Sequence, residues 1–324
     1  MVLTYRRQDL LEPCLRSLEK ALAAVPEPTE IVVVDNGSPG NIAAQRVREW
    51  CPAAELVALE DNRGYAGGVV EGLRRARGEW VLTIGDDATI DEGAVLALLG
   101  AGDSSPDVGS VAAKMLFSES DGSGRRVVNS AGLEIDRLGI ATDRLLGHPA
   151  EATEHEVTAV FGTSGGAALY RKAMLDDVGS FDASFELYLE DADLAWRAAR
   201  RGWRCLYAPD AVVHHHHSAT TGHRSKGKYF VVGRNRVRML AKNATRGHLL
   251  RYAVPIVLYD LAYIAYAAIV DRTAAPLRGR IAGLRHWRGD RRAATPEVDV
   301  ELAPVQGLRR ALRRNRAWGA GSGR

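Results

Sequence analysis

Three groups of residues in this chain have the types and spacing to act on a bond to a diphosphate. Glu190-Asp191-Ala192-Asp193 opens a helical pattern reaching Gly202, and His214-His215-His216-His217 follows a strand-like stretch. Far upstream, Asp86-Asp87 closes the apolar run Trp80-Val81-Leu82-Thr83-Ile84. Carboxylate oxygens and imidazole nitrogens suit a divalent cation, and a carboxylate outside that cation can take a proton. Displacing a diphosphate needs both: charge neutralised on the leaving group and a base beside the incoming hydroxyl. Each group also has a plainer reading. Acids cap helix N-termini routinely, which fits Asp191. Neighbouring carboxylates such as Asp86 and Asp87 repel unless a cation or solvent separates them. In a strand, side chains alternate, so at most one or two of the histidines face one site.

The elements that must hold these groups alternate in type. Val2-Leu3-Thr4 is a short β-type run, and Leu10, Leu11, Leu15, Leu18 and Leu22 recur at helical spacing. Ile31-Val32-Val33-Val34 stops abruptly at the turn Asp35-Asn36-Gly37-Ser38-Pro39-Gly40. A helical stretch over 41–50 leads to the strand-like Leu56-Val57-Ala58-Leu59 and then Asp61-Asn62-Arg63-Gly64-Tyr65-Ala66-Gly67-Gly68. A helix to Arg77 and the strand 80–84 follow. Continuous apolar strands alternating with helices predict an α/β fold with a mostly parallel sheet, covered on both faces. Ligands in such sheets sit beyond the carboxyl ends of the strands, so the turns at Asp35, Asn62 and Asp86 are expected to converge on one crevice. Residues 103–160 are rich in Gly, Ser and Asp and give no regular pattern. The small residues of Phe161-Gly162-Thr163-Ser164-Gly165-Gly166 permit close approach of a ligand or of another backbone.

Composition bounds the class. The 324 residues, 46% hydrophobic and 26% charged, suit one large or two modest globular domains. Three widely spaced cysteines, Cys14, Cys51 and Cys205, read as reduced thiols in a cytosolic setting. The opening residues lack a long apolar core, so no signal peptide is expected. No G-x-G-x-x-G follows the first strand, which argues against a dinucleotide-binding dehydrogenase. The net charge of +3 is unevenly spread: residues 272–324 carry 13 arginines against 4 acids, leaving the body acidic. Such a tail points to a polyanionic surface, and the lack of aromatic-basic interleaving disfavours nucleic acid. Leu249 to Val270 is apolar except for Arg251 and Asp260, with Pro255 inside. It fits either a core helix or a helix lying on a membrane.

In their order along the chain, these stretches resemble the inverting family 2 glycosyltransferases with the GT-A fold, particularly the rhamnosyltransferase-like branch that builds bacterial cell-surface glycans. The carriers are Leu3-Thr4-Tyr5, Val32 to Ser38, Asn62 to Gly68, Gly85-Asp86-Asp87, Gly179-Ser180-Phe181-Asp182, Tyr188 to Leu194, and Ala211-Val212-Val213-His214-His215. The resemblance implies a catalytic domain over 1–240, with the donor part over 1–115 and the acceptor part over 116–240. A helical, membrane-docking region over 241–290 and a basic tail over 291–324 would follow. It implies that Thr4, Tyr5, Asp35, Asn62, Gly67 and Asp86 serve the donor. Asp87 and His215 would hold Mg2+ or Mn2+, Asp191 would be the general base, and Gly165, Gly166, Glu190 and Asp193 would lie on the acceptor side. A nucleotide-sugar donor, a glycan or lipid-linked acceptor and the inner face of the cell membrane are the expected partners and place. Three departures stand out: Gly85 replaces an acid, the first strand is short, and Val69-Val70 stands where asparagines are common in the family. A nucleotidyltransferase on a similar sheet, and a non-enzymatic membrane-binding module, are the competing readings.

Overall fold

In the computed structural model, residues 1–121, 123–216, 225–294 and 298–305 are described. The first half alternates as read: β1 (Val2–Thr4), α1 (Gln8–Ala23), β2 (Val32–Asp35), α2 (Ile42–Trp50), β3 (Glu55–Ala58), α3 (Gly64–Arg75) and β4 (Trp80–Gly85). Then come β5 (Ala88–Ile90), α4 (Ala94–Gly102), β6 (Val108–Phe117), β7 (Val128–Ser130), β8 (Leu133–Ile135), β9 (Ala141–Asp143), β10 (Thr158–Val160) and β11 (Ala167–Arg171). The chain continues through α5 (Lys172–Val178), α6 (Glu190–Arg200), β12 (Arg204–His215), α7 (Lys226–Asn243), α8 (Arg246–Val270) and α9 (Ala275–Ala294).

One sheet runs in the order β10-β12-β6-β11-β4-β1-β2-β3, with β5 added on β12 and β7 on β6. The expectation of a mostly parallel sheet holds for β3, β2, β1 and β4, which are mutually parallel. Beyond β4 the sheet is mixed: β11 is antiparallel to both β4 and β6, while β12 is parallel to β6. The apolar runs of β1, β2 and β4 reflect burial on both faces. One face packs Leu11, Leu15 and Leu18 of α1, Val47 of α2 and Leu98 of α4. The other packs α3 through Val69, α5 through Met174 and Leu175, and α6 through Leu194 and Ala198. A third cluster joins the opposite side of α6 (Ala192, Trp196) to β8, to Met239 and Leu240 of α7, and to Ile256 of α8. Thus α6 is shared by two cores, as its period of 3.6 allows.

The boundary expected at residue 240 falls inside α7. That helix packs along α9, and the approach is close because Gly279 and Gly283 face it: an added Cβ would come 2.1 Å from Phe230 O and 2.6 Å from Arg234 O, respectively. The four-residue spacing puts both glycines on one side of α9.

Candidate active site

The three polar turns do converge. β1 and β2 are in register with Thr4 beside Asp35, so both end at the same level. Gly37 has a left-handed φ of 77°, and a Cβ there would come 2.5 Å from Asp61 C, so this turn can press against the next one. Asn36 fastens them: its Nδ2 donates to Asn62 Oδ1 (3.2 Å) and Gly64 O (2.9 Å), and its Oδ1 accepts from Arg63 N (3.0 Å). Asn62 Oδ1 also accepts from Gly64 N at 2.8 Å, making it the organiser of its own turn. Asp35, 1% exposed, accepts from Ser38 N at 3.0 Å. Gly67 is buried in the first turn of α3, where a Cβ would stand 2.7 Å from Arg63 Cβ.

At the end of β4 the two acids part. Asp86 turns inward, where its Oδ2 accepts from Thr4 Oγ1 (2.6 Å) and Tyr5 N (3.3 Å). Burial pushes its pKa up to about 7, against the lowering effect of the Thr4 hydroxyl. Asp86 therefore braces Thr4 and Tyr5. Gly85 has its own reason: a Cβ there would lie 2.7 Å from Asp87 Oδ1. Asp87 turns the other way, with Oδ1 3.4 Å from His215 Nε2. The backbone holds this pair in place, because β5 and β12 pair Ala88 with His215 and His216 N donates to Asp87 O at 2.8 Å. Alternation along β12 sends His214 instead to Asp91, 3.2 Å away. His217 lies outside the described residues.

His215 Nδ1 is 2.9 Å from Asn129 Oδ1, on β7. An amide oxygen only accepts, so Nδ1 carries the proton, and in the neutral imidazole Nε2 presents its lone pair toward the Asp87 carboxylate. Two facing acceptors at that distance suit a shared cation. Among the described residues no third His, Cys, Asp or Glu completes a metal cluster. A cation such as Mg2+ takes few protein ligands and fills the rest with water and phosphate, and this pair would suit such an ion. Asn129 was hidden in the sequence, a lone amide in a stretch without pattern.

The second acidic group is mounted on a strained loop. Glu186, Tyr188 and Leu189 all have left-handed φ, at 63°, 68° and 68°. Such residues cost on the order of 1–3 kcal/mol each and persist only where surroundings hold them. Asn235 of α7, fully buried, holds them here: its Nδ2 donates to Phe185 O (2.8 Å), Leu187 O (3.0 Å) and Tyr188 O (2.8 Å). From the other side, Ala66 N donates to Glu186 O at 2.9 Å. No sequence signal marked Asn235, which sits inside a basic helical run.

The loop delivers Asp191 to the first turn of α6. Its Oδ2 accepts from Gly165 N (3.0 Å) and its Oδ1 from Ala192 N (2.7 Å). Burial, then the Asp143 charge, raise its pKa to about 6, and those backbone donors oppose the rise. Glu190 and Asp193, expected on the acceptor side, turn inward instead. Residues 190, 193 and 197 share one helical face, and Asp191 lies about 100° away from Glu190. Asp193 is completely buried and accepts from Arg197 Nε (2.9 Å), Lys242 Nζ (3.0 Å) and Asn243 Nδ2 (2.8 Å), so it ties α6 to α7. Glu190, 4% exposed, leaves Oε2 with no hydrogen-bond partner, and burial followed by the Asp191 charge pushes its pKa well above the usual range.

Gly165 and Gly166 join the two acidic sites. Gly165 N holds Asp191, and Gly165 O accepts from the Tyr65 hydroxyl. Gly166 O accepts from Gly85 N at 3.1 Å. An added Cβ on Gly166 would meet Met115 Cε at 2.4 Å and His215 Cε1 at 3.6 Å. Consecutive Cα atoms are 3.8 Å apart. Asp191 and the acid-imidazole pair are thus reached from two adjacent residues of one turn.

Comparison with known proteins agrees with this geometry. The chain is 28% identical over 244 residues to an N-acetylglucosaminyl-diphospho-decaprenol L-rhamnosyltransferase of Mycobacterium tuberculosis, covering 68% of this chain and 76% of that protein. It is 25% identical over 210 residues to a poly-beta-1,6-N-acetyl-D-glucosamine synthase of Staphylococcus aureus, covering 64% of this chain and 47% of that one. Among solved structures, S. aureus TarS 1–349 in complex with UDP-GlcNAc superposes with a TM-score of 0.52 at 19% identity, over 89% of this chain and 78% of that one. GalNAc-T7 with UDP, GalNAc and Mn2+ gives 0.55 at 14% identity; the chain spans 56% of its length and 82% of this chain is matched. Both likenesses show the GT-A type of fold. The model of the glycosyl transferase family 2 matches residues 1–179, more than half of the molecule, and the chain belongs to that family as a glycosyltransferase.

Proposed function

We propose that this chain moves a hexosyl group from a nucleoside diphosphate sugar, of the dTDP-rhamnose or UDP-sugar type, to a hydroxyl of a glycan or lipid-linked acceptor, with inversion and with Mg2+ or Mn2+. The observation that carries this reading is the pair Gly165 and Gly166, which sets Asp191 beside Asp87 and His215. The name of the mycobacterial relative, a rhamnosyltransferase with a diphospholipid acceptor, supports the acceptor class. Mn2+ in GalNAc-T7 supports the cation. The same reading assigns the reaction to the cytoplasmic face of the cell membrane.

Asp87 and His215 would hold the cation. When bound, it neutralises charge developing on the departing diphosphate. Asp191 accepts the proton of the acceptor hydroxyl. Its backbone donors fix the carboxylate's direction, and a pKa of about 6 keeps it ionised yet basic near neutral pH. The hydroxyl oxygen bonds to the anomeric carbon as the bond to the diphosphate oxygen breaks. The proton remains on Asp191, and attack from the opposite face inverts the centre. No second nucleophile takes part.

The test is product analysis of the full chain incubated with a panel of UDP- and dTDP-sugars and with glycan and diphospholipid acceptors. Acceptor-dependent release of a nucleoside diphosphate, abolished by a chelator and restored by Mn2+ or Mg2+, is expected. Pyrophosphate as the product would overturn the transfer reading. Release unaffected by chelation would overturn the cation.

A further inference from the structure

Helix α8 is the one helix among the described residues that is long and apolar enough to cross a membrane, yet it is neither a core helix nor free of the protein. Of its 25 residues only Ile256 and Ala267 are buried. Its inner side packs on the body through Leu249, Tyr252, Ile256 and Tyr259. Its single acid, Asp260, is also turned inward, accepting from Arg236 Nε (2.9 Å) and Arg280 Nη2 (2.8 Å). The outer side carries Leu250, Val254, Leu258, Leu261 and Ile269, exposed by 84%, 69%, 61%, 57% and 78%. These positions follow a helical period and form one stripe. Exposed arginines stand near its two ends, Arg246 and Arg251 at the first and Arg272 past the last. The neighbouring α9 repeats the pattern, with exposed Leu277, Ile281 and Leu284 interleaved with Arg278, Arg285 and Arg288.

An apolar stripe with cationic ends, on a helix whose one acid is turned inward, matches a surface that is apolar inside and anionic outside. A second copy of the chain matches it less well. Pairing α8 with itself, in either direction, brings arginine ends against arginine ends, a like-charge contact that disfavours the pair. We propose that the outer face of α8, with its arginine ends, docks the protein flat on an anionic phospholipid surface. The inward ion pairs of Asp260 tie the helix to α7 and α9, so it rests on the bilayer without spanning it.

The end of α8 also lies next to the acceptor side. Tyr229 of α7 donates to Asp271 Oδ2 (2.7 Å), just past the last turn of α8. Its neighbour Lys228 places Nζ 4.8 Å from the centre of the Tyr188 ring, three residues before Asp191. Docking through α8 therefore brings the mouth beside Asp191 toward the lipid. That last step rests on the proposed transfer to a lipid-linked hydroxyl; docking itself does not.

The experiment is co-sedimentation of the full chain with vesicles of phosphatidylcholine alone or mixed with phosphatidylglycerol, at low and high salt. Binding is expected only with phosphatidylglycerol, and to weaken with salt. The double variant Leu258→Glu and Leu261→Glu should bind at least tenfold more weakly, and Arg251→Glu with Arg272→Glu should lower binding and flatten its salt dependence. All four side chains are exposed, so unfolding temperatures should match the parent. Equal recovery in the supernatant with and without phosphatidylglycerol would overturn docking. So would light scattering that finds a dimer dispersed by the Leu258→Glu and Leu261→Glu variant, with no vesicle binding by the parent. Failure of transfer to a lipid-linked acceptor, with vesicle binding intact, would overturn only the proposed function.

Discussion

Asp86 and Asp87 follow the end of a strand, whereas Glu190 and Asp191 begin a helix. In each pair the first acid is buried with a raised pKa, and the second borders the crevice. The difference lies in what the buried member touches. Asp86 accepts from Thr4 and Tyr5, and so uses its burial to hold the end of β1. Glu190 Oε2 touches no donor and lies beside the very carboxylate that borders the crevice. A strand end lets neighbouring side chains point to opposite sides, so Asp86 and Asp87 part, and the Asp87 charge adds to the rise at Asp86 only after burial. A helix turns by only about 100° per residue, so Glu190 and Asp191 stay close and their charges remain linked.

The sharpest way to break this comparison is at the second member of the helical pair. Asp191→Asn keeps the shape and removes the basicity. Turnover is expected to fall by roughly two to four orders of magnitude with donor affinity retained. In the parent enzyme, turnover should fall as pH drops below about 6, because the base becomes protonated. Near-normal turnover in Asp191→Asn, or a flat acid limb in the parent, would remove Asp191 from the role.

The strand-end pair is probed next through its support. Asn129→Ala frees the His215 ring without touching Asp87. Loss of such an outer partner typically weakens metal affinity about 10–100-fold. Titration of activity with Mn2+ should therefore shift by that factor while turnover at saturating Mn2+ stays near normal. An unchanged titration would mean that the Asn129 contact does not set the tautomer.

Stability separates the two buried members. The folded-state pKa of Asp86 is raised, so its protonated form contributes stability below about pH 4, and that stability is lost as pH climbs through about 7. One pKa unit corresponds to about 1.4 kcal/mol, so the effect amounts to a few kcal/mol at most. Asp86→Asn should gain thermal stability relative to the parent on going from pH 5 to pH 8. A difference that does not vary with pH would contradict the burial argument. The smallest effect is expected for Glu190→Gln, which resembles the protonated acid. Turnover near neutral pH should stay within several-fold and the acid limb should hold its place, because the raised pKa already favours the neutral acid that Gln mimics. A collapse of turnover comparable to that of Asp191→Asn would mean that Glu190 itself carries the proton.

Much of this arrangement was legible because burial on both faces writes strands as unbroken apolar runs. Val32 to Val34 and Trp80 to Ile84 announced β2 and β4, and the turns after them marked the crevice. The ten-residue strand β6 was not legible: Gly109, Ser110 and Lys114 interrupt its apolar run, and its burial comes from neighbours far along the chain. Asp191 was visible as part of an acidic cluster, but the fates of Glu190 and Asp193 depend on which helical face meets α7, a tertiary fact. Asn129 and Asn235 are single amides whose roles come from where β7 and α7 pack.

The three carbonyls gathered by Asn235 have a practical consequence for building hybrids of this protein. The turns of β1 to β4 are tied together through Asn36, so an exchange of that stretch carries its own turn shapes, provided it still meets Glu186 O through Ala66 N and Gly166 O through Gly85 N. The half that bears Asp191 could not be exchanged on the same terms, because its loop takes its shape from Asn235, 47 to 50 residues further on. A graft that moves the acceptor loop without α7, or α7 without the α9 glycines that seat it, carries the residue but not its aim. Chimeras meant to change acceptor choice should therefore cut before Gly179 and carry everything from there through α9 as one block.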